Sequence, residues 1–142
     1  EWVEEVKRLR DAIPIANDDE ANVELERRHF FRGAEEPLEL VRMREEKSPA
    51  VYEAMWGRNE WTMTGALGGW DVRPRLGELR LPTLILRGAH DLSTAAISKT
   101  LTDGIPHARE VVFRDSSHTP VLEETERYLE TVRGFLYQVE AR

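Results

Sequence analysis

The second half of the chain alternates between short apolar runs and longer amphipathic segments, and this order constrains the fold more than any other feature. The run Leu-Pro-Thr-Leu-Ile-Leu-Arg at 81–87 ends at Gly88, and a second run, Glu-Val-Val-Phe, occupies 110–113. We expect both to be β-strands, and the first is typical of a strand buried on both faces. Helices are predicted at 93–103 and from 119 to about 139. Strand, helix, strand, helix predicts a right-handed βαβ unit in a parallel sheet.

The first half of the chain shows apolar residues at helical spacing and no alternating pattern. Four apolar residues between Trp2 and Ile13 fall on one helical face, and Pro14 is expected to end that helix. Three further helices are predicted at about 19–31, at 37–47 with Pro37 in the first turn, and from an N-cap at Ser48 to a stop at Gly57. A glycine-rich turn at 65–71 is predicted to separate the two halves.

Composition narrows the classes of function. The 142 residues carry 27 acidic and 20 basic side chains, a net charge of −7, without a basic cluster. This balance argues against nucleic-acid and anionic-membrane partners. The absence of cysteine excludes disulfides, zinc–thiolate sites and cysteine nucleophiles, and the apolar runs are too short for a transmembrane helix. A cytoplasmic location without a signal peptide is the expectation.

Two polar segments follow the predicted strands at the points where each strand ends. Asp91 lies just after the first strand and His118 just after the second. The carboxyl ends of neighbouring parallel strands lie about 4.8 Å apart, so short loops could bring a carboxylate to an imidazole. This pair would supply the orienting acid and the general base of a hydrolytic triad. The alternatives are that Asp91 caps a helix and that His118 is a hydrogen-bonded surface histidine.

These segments resemble the C-terminal end of an α/β-hydrolase. The resemblance rests on 81–91, on Ser116-Ser-His118 and on Glu123-Glu124. Asp91 precedes His118, which matches the α/β-hydrolase order of acid before histidine. The stretch Val51–Trp61, followed by Thr64-Gly-Ala-Leu and Trp70-Asp71, is similar to the cap-to-core junction of proline iminopeptidases, which are serine aminopeptidases. The likeness covers about 28–136. It implies that residues 1–70 form part of a helical cap, or lid, and that 71–142 form the C-terminal part of the α/β-hydrolase core.

The resemblance also implies a serine nucleophile and an oxyanion hole that precede the cap. The chain has serines at 48, 93, 98, 116 and 117, and none has a Gly-x-Ser-x-Gly setting. Ser116 and Ser117 are poor nucleophile candidates because they are immediate sequence neighbours of His118. The chain begins at Glu1 rather than Met. We therefore expect a C-terminal portion whose partner is the N-terminal half of the same hydrolase.

Substrate contacts are implied by the same resemblance. Carboxylates of the cap hold the substrate's α-amino group in that family, and Glu60 lies in the matching stretch, although it could be a solvated glutamate. Trp56 and Trp61 could wall the pocket or simply pack the cap. Leu92 stands where the family often has an acidic residue. This departure leaves ester, lactone and amide substrates open beside a small peptide, and no metal or organic cofactor is implied.

The sequence is compatible with two other functions. The first is a different hydrolase on the same scaffold, such as an esterase, an amidase, or an epoxide or haloalkane hydrolase with an Asp nucleophile. The second is a non-catalytic binding module that keeps the scaffold without the nucleophile. Three further histidines are assigned to loops and packing: His29, His90 and His107.

Overall fold

The computed structural model describes residues 2–12, 18–57 and 63–141. The helices are α1 (Trp2–Asp11), α2 (Asp18–His29), α3 (Leu38–Glu45), α4 (Pro49–Trp56), α5 (Ala95–Gly104), α6 (Pro120–Glu123) and α7 (Thr125–Glu140), and the strands are β1 (Leu84–Gly88) and β2 (Arg109–Phe113). The predicted glycine-rich turn is a short 3-10 helix at Ala66–Gly69, and a second one follows at Arg73–Glu78. We call α1–α4 the helical half.

Helix boundaries in the helical half follow from capping. Ser48 caps α4 by accepting a hydrogen bond from the Val51 amide, Pro49 takes the first helical position, and Gly57 ends the helix at φ 87°, as predicted. Pro37 was expected in the first turn of α3, but it is extended and the helix begins at Leu38. The proline carbonyl still accepts the amides of Leu40 and Val41, so it serves as the cap residue.

The two strands pair in parallel, as the alternating order predicts. Leu84 lies opposite Arg109 and Gly88 opposite Phe113, and α5 is the crossover between the strands. The expectation that β1 is buried on both faces is wrong for this chain, because Leu84–Arg87 are only half-buried. Within the described residues β1 pairs with β2 alone, so its second edge has no strand partner among them.

The predicted C-terminal helix is interrupted at one residue. Glu124 has φ −130° and ψ 53°, which separates the short helix α6 from α7. Its carboxylate turns back to bind the chain that leads into α6. Beyond the break, Tyr128 of α7 packs its ring 5.9 Å from the ring of the fully buried Phe113. A periodic apolar pattern continues through such a break, so the pattern does not show it.

A small apolar cluster joins the helical half to the end of β1. Leu25 of α2 and Leu92 are buried against each other, and Leu9 and Phe30 pack against them. Leu92 follows directly after Asp91, so this cluster fixes the chain at the candidate acid. Burial of a leucine side chain contributes about 1.5–3 kcal/mol.

Candidate active site

The candidate site lies where β1 and β2 end. We call 89–94 the Asp91 loop and 114–119 the His118 loop. Beyond the strands the two loops remain hydrogen-bonded, since the Ala89 amide donates to the Phe113 carbonyl (2.8 Å) and the His90 amide to the Ser116 carbonyl (3.1 Å). The parallel pairing therefore extends past β1 and brings the two loops side by side.

Asp91 and His118 meet directly, which confirms the predicted juxtaposition. His118 Nδ1 lies 2.8 Å from Asp91 Oδ1. The Asp91 side chain is 5% exposed and the His118 side chain 44% exposed. Asp91 Oδ1 also accepts the Ser93 amide at 2.7 Å, which fixes the carboxylate from its own loop. An ionised Asp91 can only accept, so the neutral imidazole carries its proton on Nδ1 and Nε2 is the basic nitrogen.

A glycine permits the close approach of the loops. A Cβ built on Gly88 would collide with the carbonyl oxygens of Ser116 and Ser117. Gly88 is itself buried at the end of β1. Only a residue without a side chain lets the backbone of the His118 loop pass this near to β1.

The two serines beside His118 are structural groups. Ser116 and Ser117 are both 0% exposed. Ser116 Oγ donates to Glu124 (2.7 Å), and Ser117 Oγ donates to Glu123 (2.9 Å). Their hydroxyls are thus committed to carboxylates on α6 and at its end. This geometry agrees with the expectation that neither serine is a nucleophile.

Glu123 and Glu124 hold the His118 loop from the α6 side, and the sequence pattern did not assign them this role. Glu123 accepts the Ser117 amide at 2.8 Å and the Thr119 hydroxyl at 3.3 Å. Glu124 accepts the Asp115 amide at 3.1 Å. The signal available in the sequence was the adjacent Glu-Glu pair five and six residues after His118. Adjacent glutamates are common, so spacing alone does not reveal a loop clamp.

The pKa of Glu124 reports this environment. Burial of the carboxyl raises its pKa, but hydrogen bonds from Ser116, Arg127 and the Asp115 amide outweigh burial, so the pKa lies below its ordinary value. Arg127 binds Glu124 at 2.8 Å and also donates to the Val112 carbonyl at 3.0 Å. Its guanidinium lies 4.8 Å from the centre of the Phe113 ring. The ionised Glu124 thereby connects α7, β2 and the His118 loop.

The end of α2 contacts the candidate base, and sequence reasoning missed this contact. The His118 amide donates to the His29 carbonyl at 3.2 Å. The Phe30 ring lies 5.2 Å from the His118 imidazole, measured between ring centres. The end of α2 therefore lies against both the backbone and the ring of His118.

The other predicted site residues have different positions. Leu92 is buried against Leu25, so it is a packing residue. Trp56 is the last residue of α4 and is half-buried. Glu60 and Trp61 lie outside the described residues, and their substrate contacts stay predictions.

Metal and membrane features are absent from the part of the chain that the structure describes. Among residues 2–12, 18–57 and 63–141 there is no group of three or more side chains suited to hold a metal ion. Over the same residues, every helix is too short or too polar to cross a bilayer.

Comparison with curated sequences finds relatives that share one description. The chain is 35% identical over 102 residues to a proline iminopeptidase of Clostridioides difficile, covering 72% of this chain and 35% of that protein. It is 38% identical over 89 residues to a proline iminopeptidase of Saccharolobus solfataricus, covering 63% of this chain and 29% of that protein. The chain thus spans about a third of these relatives. No protein-family model matches the sequence.

Comparison with solved structures gives the same picture for the fold. The crystal structure of VinJ matches with a TM-score of 0.86 and 30% identity, over 97% of this chain and 53% of VinJ. Proline iminopeptidase from Mycobacterium smegmatis matches with a TM-score of 0.85 and 32% identity, over 99% of this chain and 53% of that structure. MenH from S. aureus, at 18% identity and a TM-score of 0.52, shares the fold alone.

Proposed function

Because this chain is the C-terminal portion of an α/β-hydrolase fold and resembles proline iminopeptidases in sequence and structure, we propose that it supplies the acid–base pair of an aminopeptidase. The proposed enzyme is a serine peptidase that releases N-terminal residues, proline in particular. The observation that carries the proposal is the 2.8 Å contact between His118 Nδ1 and Asp91 Oδ1 at the ends of two parallel strands.

In this mechanism the chain's own residues move the proton. A serine outside these residues attacks the substrate carbonyl, and His118 Nε2 takes the hydroxyl proton and later gives it to the leaving amine. Asp91 keeps the imidazole in the Nδ1-protonated tautomer and stabilises the imidazolium as it forms. The nearly complete burial of the Asp91 carboxylate supports this role, because its attraction to the imidazolium is weakly screened.

The nucleophile and oxyanion hole belong, on this proposal, to the N-terminal half of the same hydrolase. Two observations support this. None of the chain's serines has a Gly-x-Ser-x-Gly setting, and the two serines nearest the base are buried donors to glutamates. Residues 1–70 would then form part of the cap and 71–142 the end of the core. The contacts of α2 with the His118 loop are consistent with a cap that sits over the site.

The substrate carries a free α-amino group on this proposal. Glu60 would bind the ammonium from the cap, and Trp56 and Trp61 would wall the pocket. A carboxylate is the natural partner of a buried ammonium, because an unpaired charge there is costly. The substrate would be a small peptide, or an amide of an amino acid whose α-amino group is free.

One observation favours a second candidate within the same class. The position after Asp91 is a leucine whose side chain packs on Leu25, so no carboxylate extends from that position. A hydrolase of esters or of amides without a free amine would need none. The two candidates differ in the substrate group that they recognise and share the acid–base pair.

A paired-substrate assay on the full-length hydrolase tests the proposal. We would measure kcat/KM for a prolyl arylamide, its N-acetylated form and a short acyl ester. An aminopeptidase should prefer the free amine over the acetylated form by roughly 10- to 100-fold, the effect of a charged hydrogen bond. Preference for the acetylated form or the ester would select the second candidate. Absence of turnover on all three substrates would point to the non-catalytic module.

A further inference from the structure

Helix α2 ends between the two loops that carry the candidate pair. Its last turn closes when the amides of Phe30 and Phe31 both donate to the Glu26 carbonyl. The last carbonyls of any helix lack partners within the helix and must find them elsewhere. In this chain the carbonyl of His29, the last residue of α2, accepts from the His118 amide at 3.2 Å, and that of the next residue, Phe30, accepts from the Thr119 hydroxyl at 3.1 Å.

His29 is the residue of α2 that reaches both loops. Its carbonyl binds the His118 amide, while its Nδ1 atom lies 2.8 Å from the carbonyl oxygen of His90, the residue before Asp91. A carbonyl can only accept, so Nδ1 of His29 must carry the proton and donate. One histidine of the helical half is therefore hydrogen-bonded to the chain on each side of the Asp91–His118 contact.

Neighbouring contacts lock the same junction. The Arg32 amide donates to Glu123 at 2.9 Å, and Glu123 holds the Ser117 amide at 2.8 Å. On the other side, Phe30 packs both against the Leu25–Leu92 cluster and against the His118 ring. The end of α2 is thus fixed by its neighbours, so the His29 side chain transmits a defined position to the Asp91 loop.

We propose that His29 is a positioning residue that sets the distance and alignment of Asp91 and His118 by bonding to both loops, an inference that rests on the proposed hydrolase function. The hydrogen bonds of His29 to the two loops are with backbone atoms of His90 and His118, not with the Asp91 carboxylate or the His118 imidazole. His29 acts by holding the carbonyl of His90, and hence the start of the Asp91 turn, against the His118 loop. Misplacement of a catalytic group by about 1 Å can cost on the order of 100-fold in rate.

The test compares three substitutions that differ only in where a donor can sit. In His29→Asn the side-chain amide nitrogen can occupy the place of Nδ1, in His29→Gln it lies one bond further out, and in His29→Leu the donor is lost. We expect the full-length His29→Leu enzyme to lose roughly 10- to 100-fold in kcat with KM little changed. His29→Asn should retain most of the wild-type kcat and His29→Gln should not. The matched control is His107→Asn, since His107 is exposed and precedes β2 at the opposite end of the strand.

A spectroscopic readout separates this proposal from the proposed function. The proton on His118 Nδ1, hydrogen-bonded to Asp91, should give a downfield imidazole NMR signal in the wild type and in His29→Asn. In His29→Leu that signal should weaken or shift, whether or not the protein hydrolyses any substrate. A signal unchanged in every variant would overturn the positioning role, even if aminopeptidase turnover is found.

The same three His29 variants also provide a test if one of them fails to fold. If His29→Leu does not fold, the comparison of His29→Asn with His29→Gln decides, because both keep a polar side chain. Equal kcat and equal imidazole signals for those two variants would contradict the proposal. The two proposals can also fail separately. If the wild type shows no turnover but the His118 Nδ1 proton signal changes with the donor position in the His29 variants, the proposed function is wrong and the positioning role stands.

Discussion

The hydroxyl of Ser116 donates a 2.7 Å hydrogen bond to Oε2 of Glu124, and Ser116 is wholly buried. Glu124 interrupts the C-terminal helix at this contact, so the broken helix and the buried serine are two aspects of one arrangement. Ser116, two residues before the candidate base His118, is thereby a structural donor.

We expect Ser116→Ala to lower the free energy of unfolding and to leave kcat close to wild type. The substitution removes one of the partners of a largely buried carboxylate, which costs about 1–3 kcal/mol. Urea unfolding and turnover of the full-length hydrolase would measure the two effects. Ser48→Ala is a matched control, because it removes the N-cap of α4 and costs about 1 kcal/mol away from the loops. Abolished turnover in Ser116→Ala would restore Ser116 as a nucleophile candidate.

Substitution of the acid–base pair should remove chemistry rather than binding. His118→Ala should lower kcat by several orders of magnitude, and Asp91→Asn by roughly 10³- to 10⁴-fold, because an amide can donate to the ring and so favours the wrong tautomer. KM should change little in both. Steady-state kinetics on the full-length enzyme give both constants. Wild-type kcat in either variant would disprove the role of that residue.

Gly88→Ala should disrupt the site through the backbone. The added methyl group would collide with the carbonyls of Ser116 and Ser117, and relief of such overpacking costs about 1–3 kcal/mol. Thermal unfolding and kcat should therefore both fall. Gly134→Ala is the matched control, since its Cβ meets no atom within 4 Å in α7 and alanine gains up to about 1 kcal/mol in a helix. Similar stability of the two variants would contradict the close packing at Gly88.

Glu124 should contribute to a loss of stability in acid. Its pKa is lowered in the folded state from an ordinary value of 4.5, so its ionised form favours folding. That contribution is complete above about pH 4.5 and disappears as the pH falls through the lower folded pKa. Urea unfolding between pH 7 and pH 3 should show a shallower acid loss in Glu124→Gln than in wild type. Glu130→Gln, at an exposed position in the middle of α7, should follow the wild-type curve; equal slopes for all three would refute the assignment.

Glu60→Gln tests the proposed ammonium anchor. The amide keeps the shape and removes the charge, so kcat/KM for a free-amine substrate should fall by roughly 10- to 100-fold. An N-acetylated or simple ester substrate should be affected far less. The ratio of the two losses in the full-length enzyme is the measurement. Equal losses on both substrates would show that Glu60 is structural.

Local rules predicted the elements and the meeting of the acid with the base. The apolar runs, Ser48-Pro49 and Gly57 determine their elements through contacts within a few residues, and parallel strand ends then bring Asp91 and His118 together. Those features depend on capping residues and apolar periodicities that can be recognised in the sequence itself.

The contacts that sequence could not predict are the non-local ones. In the sequence, Leu92 is notable because it replaces an acidic residue. In the structure, its side chain packs against Leu25. The break at Glu124 arises because its carboxylate binds the His118 loop, and helical periodicity continues across it. The docking of α2 on both loops cannot be recognised in the sequence, because a histidine at the end of a charged helix could equally well be exposed to solvent.

The contact between His29 and the carbonyl of His90 spans 61 positions of the chain, and this span has a kinetic consequence. Contacts that close long loops form late in folding, because loop closure costs entropy before any contact offsets it. The strands and helices of the second half can assemble from near neighbours, whereas the junction with α2 requires the two halves to collapse on each other. We therefore expect the contacts of α2 with the Asp91 and His118 loops to form after β1 and β2 have paired, because the strand partners lie closer together along the chain.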